Sequence, residues 1–347
     1  AESQRRLVPT PLPAPLDAPQ RLPVDLAVPA GSYVLTVEAP GRPHVVVTAA
    51  VPREGTWDRT PPEGGAPLPL PLPQSGPDGA VYVPAGWTWI GAPRSSRGNL
   101  RSTLDRHRVW VDAFWAEPHP VTNRRYLDFL NARVAQGRAD EAAAHVPRYR
   151  GAESIPVYGQ DANGRYGLVP DADGDLWDPD WPVILVTWAD ARAFAAWWSE
   201  ETGHTWRLPT EHEWRAACGG TDGRKFPWGN QAVDHYANTR NGQPGPSLLA
   251  PVGQFPTDAS PLGVAGGAGG VGHWCRDPFR IGGPPVGPRG RSQPEAPDPD
   301  AVRVARGGVW SWSSGDATLD IRHVVAPVFR MEVLGFRLVC GGASPAG

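Results

Sequence analysis

Apolar residues first gather in short β-branched runs over residues 24–28, 33–38 and 45–51, separated by Pro-Ala-Gly and Pro-Gly breaks. Runs this short, bounded by turn formers, predict strands. Further strands are predicted over 81–84, 87–90 and 108–115. The period then changes. Thr122 stands where a helix cap belongs, and Tyr126, Phe129 and Leu130 fall at i, i+3 and i+4, which predicts a helix over 123–134. A second helix starts at Thr187, with Asp190 as its capping-box partner and Ala191, Phe194, Ala195 and Trp198 at helical spacing; Gly203 ends it. A shorter third helix opens with Thr210 and Glu213 and stops at Gly219. No helical period follows. Glycine, proline and tryptophan punctuate short strands and long loops to the end of the sequence.

The 347 residues include 41 glycines and 42 prolines, close to the content at which unpatterned chains stay disordered. Sixteen tryptophans argue for a folded, loop-rich protein, since disordered chains lack the aromatic surface that offsets ordering entropy. Long bundles and coiled coils are excluded. Residues 1–22 read as a proline-rich arm, 23–60 as a small β module, 61–80 as a proline-rich linker and 81–347 as the main domain. No stretch is long and apolar enough to span a membrane, and no leader is visible. Because the sequence begins at Ala1, a leader or upstream domain stays open, and so does the compartment. Cys218, Cys275 and Cys340 are too few and scattered for a disulfide framework or a zinc site. A net charge of −3 offers no field for nucleic acid or an anionic membrane. Lys225 is the sole lysine among 33 basic residues, and one methionine stands beside the many prolines. Heat adaptation gives this bias, and so does a GC-rich genome.

Several blocks then fall in a familiar order: VTNRRYLDFLNA (121–132), PVILVTWADARAFAAWWSEETGHTWRLPTEHEWRAACGG (182–220), PWGN (227–230), SPLGV (260–264), HWCRD (273–277), RGGVW (306–310) and LGFRLV (334–339). The chain resembles the formylglycine-generating-enzyme, or sulfatase-modifying-factor, family over about 260 residues. The resemblance implies an α+β, C-type-lectin-like fold of that subtype: two main helices, small twisted β-sheets and many loops. The N-terminal β module resembles the surface-layer modules that bacteria attach to larger enzymes and kinases.

A fold does not confer a function, so the family's sites need checking residue by residue. In the enzymes, two cysteines follow the RGG block at the fourth and ninth positions and bind copper. Trp312 and Ala317 stand there in this sequence. A cuprous ion wants soft thiolates, which neither an indole nor a methyl group replaces. The three-histidine iron site of the related sulfoxide synthases has no counterpart, since no HxxxHxE-like helix is present. No cofactor is therefore expected, and calcium is reduced to a possibility because most of the family's ligands are lost. Gly269, Gly270, Val271, Gly272, His273 and Trp274 replace a GNVWEW-like block, while Asn238 matches a family calcium ligand. The carboxylates over 171–180 could hold calcium but lack the bidentate glutamate of a complete loop; a solvated acidic turn is the simpler reading. His204, His212 and His273 have no metal spacing, and the tryptophans of the helices read as core.

In the last 40 residues, RGG, Trp310, Gly315, Leu319, Arg322, Pro327, Arg330 and LGFR match the family framework. Between them lie Val309, Ser311, Ser313, Asp316, Asp320, His323, Val324, Val325, Val328, Phe329, Met331, Glu332 and Val333, which share no chemistry. This stretch, about 303–340, resembles the variable region of proteins diversified by retroelements that mutate adenines. The resemblance implies that these thirteen side chains form a ligand-binding surface, with no catalytic residue, for a macromolecular partner, a protein in the leading reading. Independently, Val324, Val325, Val328, Phe329, Met331 and Val333 put apolar side chains among turn residues, where loops are ordinarily polar. A buried strand would explain the same run. An enzyme with an altered, copper-free groove and a purely structural appendage are the rival functions.

Overall fold

The three predicted helices begin where their threonines stand. The computed structural model describes residues 28–341 apart from 70–71, 74, 94–103, 150–154, 172–173, 246–247 and 295–297. Helix α1 spans Asn123–Ala135, α2 Ala139–Ala144, α3 Trp188–Thr202 and α4 Glu211–Gly219. The Thr122 hydroxyl accepts from the Arg125 amide, whereas Thr187 with Asp190 and Thr210 with Glu213 form complete capping boxes. Each box satisfies two amides that the helix start would otherwise leave open. Gly203 closes α3 at φ 70°, the left-handed conformation that glycine adopts without a Cβ clash. The short α2, which carries an alanine-rich ADEAAA segment, has no predicted counterpart.

The strands are β1 (Gly31–Val37), β2 (Val45–Val51), β3 (Val81–Val83), β4 (Gly86–Ile90), β5 (His107–Val111), β6 (Phe114–Ala116), β7 (Tyr158–Gln160), β8 (Tyr166–Leu168), β9 (Trp206–Arg207), β10 (Gly272–Pro278), β11 (Arg303–Arg306), β12 (Arg322–Val325), β13 (Leu334–Gly335) and β14 (Val339–Gly341). They form two four-stranded sheets, β12-β11-β10-β13 and β3-β6-β14-β9, and three antiparallel pairs, β1-β2, β4-β5 and β7-β8. Only β10 and β13 run parallel within these ladders. The single strand expected over 108–115 is two: Asp112 and Ala113 break it, so β5 pairs with β4 while β6 joins β3 and β14. The arm over 1–22 and all but the last residue of the strand expected over 24–28 lie outside the described residues.

The main core sits between α1, α3 and the sheets. Tyr126, Phe129 and Leu130 of α1 meet Phe194 and Trp197 of α3, with Tyr126 and Phe194 stacked at 5.8 Å and Phe336 edge-on to both. Each such side chain contributes roughly 1.5–3 kcal/mol by leaving water. The β1-β2 hairpin is not detached from this body. Val45, Val47 and Ala49 of β2 are buried, Val45 and Val47 within the main core, and Thr48 packs on Gly220 at the end of α4.

Two arginines fix the sheet to α4, and a third packs it on α3. The Glu211 carboxylate, fully buried at the first position of the helix, accepts two bonds from Arg322 of β12 at 2.7 and 2.8 Å and one from Arg306 of β11 at 3.2 Å. Arg303, beside them on β11, stacks its guanidinium 3.8 Å from the Trp188 ring. Arg306 and Arg322, both framework positions, thus hold two strands against one helix.

Candidate functional site

The segment between β12 and β13 carries five of the thirteen expected contact residues, and β12 itself three more; the segment's backbone is bonded to the core at many points. The Trp188 amide donates to Pro327 O, the Leu185 amide to Met331 O and the Gly272 amide to Val333 O. Arg330 reaches inward to the Leu185 carbonyl at 2.9 Å and to the Asp190 carboxylate at 2.8 Å. Asp190 also accepts from the Thr187 amide and from His145, so one carboxylate caps α3 and anchors the loop. Leu185 itself has φ 59°, unusual for a side chain of its size, and both of its backbone polar groups bond to this segment. Such strain persists only where the surroundings over-determine it.

On this rigid base, side chains divide sharply. Val328 is 72 % exposed, Val324 49 % and Met331 38 %; Glu332 is exposed beside them, and Phe329 and Val333 are half-buried. Trp310 closes one flank by donating from its indole to Glu332 O. On the preceding loop, Asp316 is exposed, Ser311 and Ser313 are half-buried, and Ser313 donates to Asp316. The side chain of Arg240 holds the loop through Ser311 O, and the Arg240 amide donates to Trp312 O. His323 lies beneath, donating from Nε2 to Gly307 O at 2.8 Å, with its ring 5.0 Å from that of Trp312.

Three of the thirteen expected contact residues do not reach the surface. Val309 is fully buried between the RGG glycines and the core, Val325 belongs to the main core cluster, and Asp320 is turned inward toward Arg215 at 3.6 Å. Strand alternation explains Val325, because Val324 and Val325 must point to opposite faces of β12. The buried-strand alternative holds for that residue and for none of the five other apolar ones.

Trp312 and Ala317, which the resemblance sets at the enzymes' copper positions, offer no thiolate. Ala317 is buried against Gly308 so closely that a Cβ on that glycine would collide with it, and Trp312 presents an indole. The three cysteines are buried and unpaired, and burial pushes the Cys218 and Cys340 thiols up to about 11. His273 accepts from the Trp214 indole at 3.0 Å, and burial holds its ring well below the ordinary histidine range. Among the described residues, no group of three His, Cys, Asp or Glu side chains converges as a metal site. The acidic stretch is engaged in turns and pairs: Asp171 accepts from the Asp175 amide and the Trp177 indole, Asp178 from the Asp180 amide, and Asp180 pairs with Arg124. Asn238 donates to Leu248 O while its Oδ1 is buried without a partner.

The helix tryptophans Trp188, Trp197 and Trp214 are core residues, and Trp198 is half-buried under the Arg125 guanidinium at 4.5 Å. No helix among the described residues is long and apolar enough to cross a membrane.

The small sheets, the two main helices and the long loops make up a C-type-lectin-like body with a rigid, partly apolar C-terminal surface. The family model for the sulfatase-modifying factor enzyme 1-like domain matches residues 66–341, and the chain belongs to that family. It is 31 % identical over 247 residues to the formylglycine-generating enzyme of Bos taurus, covering 62 % of this chain and 60 % of the enzyme. It is 28 % identical over 253 residues to the serine/threonine-protein kinase pkn1 of Chlamydia caviae, covering 72 % of this chain and 36 % of the kinase. The chain thus spans less than two thirds of the length of these curated relatives. Among solved structures it is similar to PvdO from Pseudomonas aeruginosa, with TM-score 0.57 and 23 % identity over 76 % of this chain and 94 % of that one. Treponema denticola variable protein 1 aligns with TM-score 0.51 and 20 % identity over 76 % and 95 %. At these identities the structural likeness establishes the fold.

Proposed function

We propose that this chain is a ligand-binding protein that displays diversified residues on the family scaffold, and that it is not an oxidase. The observation that carries the reading is the exposure of Val324, Val328 and Met331 from a backbone bonded to the core on every side. Apolar side chains held out by a stiff loop gain nothing for the fold, yet they spare a partner the cost of ordering that loop. The surface set is Ser311, Ser313, Asp316, His323, Val324, Val328, Phe329, Met331, Glu332 and Val333, with a protein as the ligand. The likeness to a variable protein, together with indole and methyl groups at the copper positions, supports the reading.

The test lies in the flanking DNA. A near-copy of codons 303–340 that differs only at adenines, next to a reverse-transcriptase gene, is the expected finding; its absence from the complete genome would remove the diversification reading. The enzyme alternative, favoured by the family's catalytic members, is tested by incubating the protein with copper and a cysteine-containing peptide and weighing the product. An unchanged peptide mass is expected.

A further inference from the structure

Strand β12 is the outer strand of its sheet and pairs with β11 on one side only. The ladder sets Arg322 opposite Arg306, His323 opposite Ala305, Val324 opposite Val304 and Val325 opposite Arg303, without a bulge. In an antiparallel pair alternate residues turn both backbone groups toward the partner strand, and the intervening residues turn theirs away from it. Among the described residues, no backbone bond outside this ladder begins or ends on His323, Val324 or Val325. Native sheets blunt such an edge with a lysine, a proline or a bulge. Residues 322–325, RHVV, carry none of the three.

The sheet face that carries Val324 stays apolar beyond the variable stretch. Val302 stands two positions before Val304, the partner of Val324, so strand alternation puts Val302 and Val324 on one face. The Phe279 amide donates to Val302 O, and Arg322 lies over the Phe279 ring at 4.9 Å while donating to Arg280 O at 3.0 Å. The turn after β10 therefore crosses this same face. Ile281 in that turn is 87 % exposed and Val302 43 %. An open backbone edge thus borders a face on which apolar side chains remain in solvent, a combination that marks a contact surface.

We propose that the partner of the display surface docks by strand addition: an extended segment of a protein lies along β12 and continues the sheet, with alternate apolar side chains on the face of Val324. This deepens the recognition reading above and rests on it. A strand edge presents donors and acceptors at the spacing of another extended backbone, so main-chain bonds give affinity and the flanking side chains give specificity. The division suits a diversified surface. Changing codons 323–325 alters side chains and leaves the backbone groups of the edge in place, while Val302 and Ile281 lie outside the variable stretch altogether. The chain runs from β12 directly into the segment that carries Val328 and Met331, so the added strand and the display surface are continuous.

Linear ten-residue peptides selected from a random library on the immobilised whole chain are the probes. Apolar residues should recur at every second position of the selected peptides. N-methylation of alternate peptide nitrogens should weaken binding at least tenfold in one phase and leave it unchanged in the other, because only every second amide of an added strand faces β12. Bound peptide should also slow hydrogen exchange of at least one amide within residues 323–325 of the whole chain. Equal effects of methylation in the two phases, or unchanged exchange in β12, overturn strand addition. If binding of such a peptide is still lost in Val328→Ser, the display surface stands and only the docking mode falls. Failure to select any peptide counts against both. A concentration-dependent dimer whose β12 amides are already protected assigns the edge to a second copy of the chain and likewise overturns the proposal.

Discussion

At the scale of single residues, Glu211 shows how much depends on a buried carboxylate. It compensates Arg306 and Arg322, neither of which touches water. Glu211→Ala leaves two guanidiniums without their acceptor and should lower unfolding free energy by about 3–5 kcal/mol in urea titration. Phe329 makes the opposite kind of prediction. It is half-buried and packs against the main core, so Phe329→Ala should cost stability only part of a full burial, roughly 1–2 kcal/mol, while weakening a ligand captured by the wild-type surface by about 2 kcal/mol, roughly 30-fold in Kd. Titration calorimetry reads this directly, and an unchanged Kd would count against the recognition surface. Which apolar residues face outward was only partly legible in the sequence. A run such as HVVAPVF has no clear period, and Val324 and Val325 part company because β12 pairs with β11 through long-range contacts that no local pattern encodes.

At the scale of elements, the capping boxes made α3 and α4 legible almost to the residue, because side chain and amide lie three positions apart. What local spacing could not show is that Asp190, after capping α3, also holds Arg330 from 140 positions further along the sequence. Arg330→Ala should therefore loosen residues 326–334 without disturbing α3, seen as faster amide exchange at Phe329, Leu334 and the Leu185 amide while the amides of Ala191 and Phe194 stay protected. The β7-β8 hairpin was overlooked although its signal was present. Asn163-Gly164 is a hairpin dipeptide; Gly164 takes φ 75°, and Asp161 accepts from the Asn163 and Arg165 amides. Likewise, spacing along the chain did not show that the valines of β2 pack into the main core across the proline-rich stretch that follows them.

At the scale of the whole molecule, buried titratable groups set the pH range. Burial raises Asp258 to about 8 and Asp277 to about 7, so both keep a proton in the fold that the unfolded chain has released above roughly 4. Their stabilising contribution is complete below that value and is lost as pH rises through 7 and 8. Burial lowers His212 to about 4 and also lowers His119, His273 and His323, so the unfolded chain takes up protons below roughly 6.5 that the fold refuses. The contribution of these histidines is present above that value and lost on acidification. Together they place the optimum near pH 6.5, roughly where the two slopes meet. Melting curves should fall on both sides, and Asp258→Asn, which can still accept from the Ala268 amide, should flatten the alkaline side between pH 6.5 and 8.5.

The position of β14 has a consequence for how the protein is made. This strand lies between β6 and β9, so that sheet stays split until the final stretch of the described chain has left the ribosome. A premature stop or a shifted reading frame anywhere in codons 303–338 removes the strand that joins the two halves. Faulty versions would emerge as open polypeptides for cellular proteases to clear, and only chains read through in register would persist.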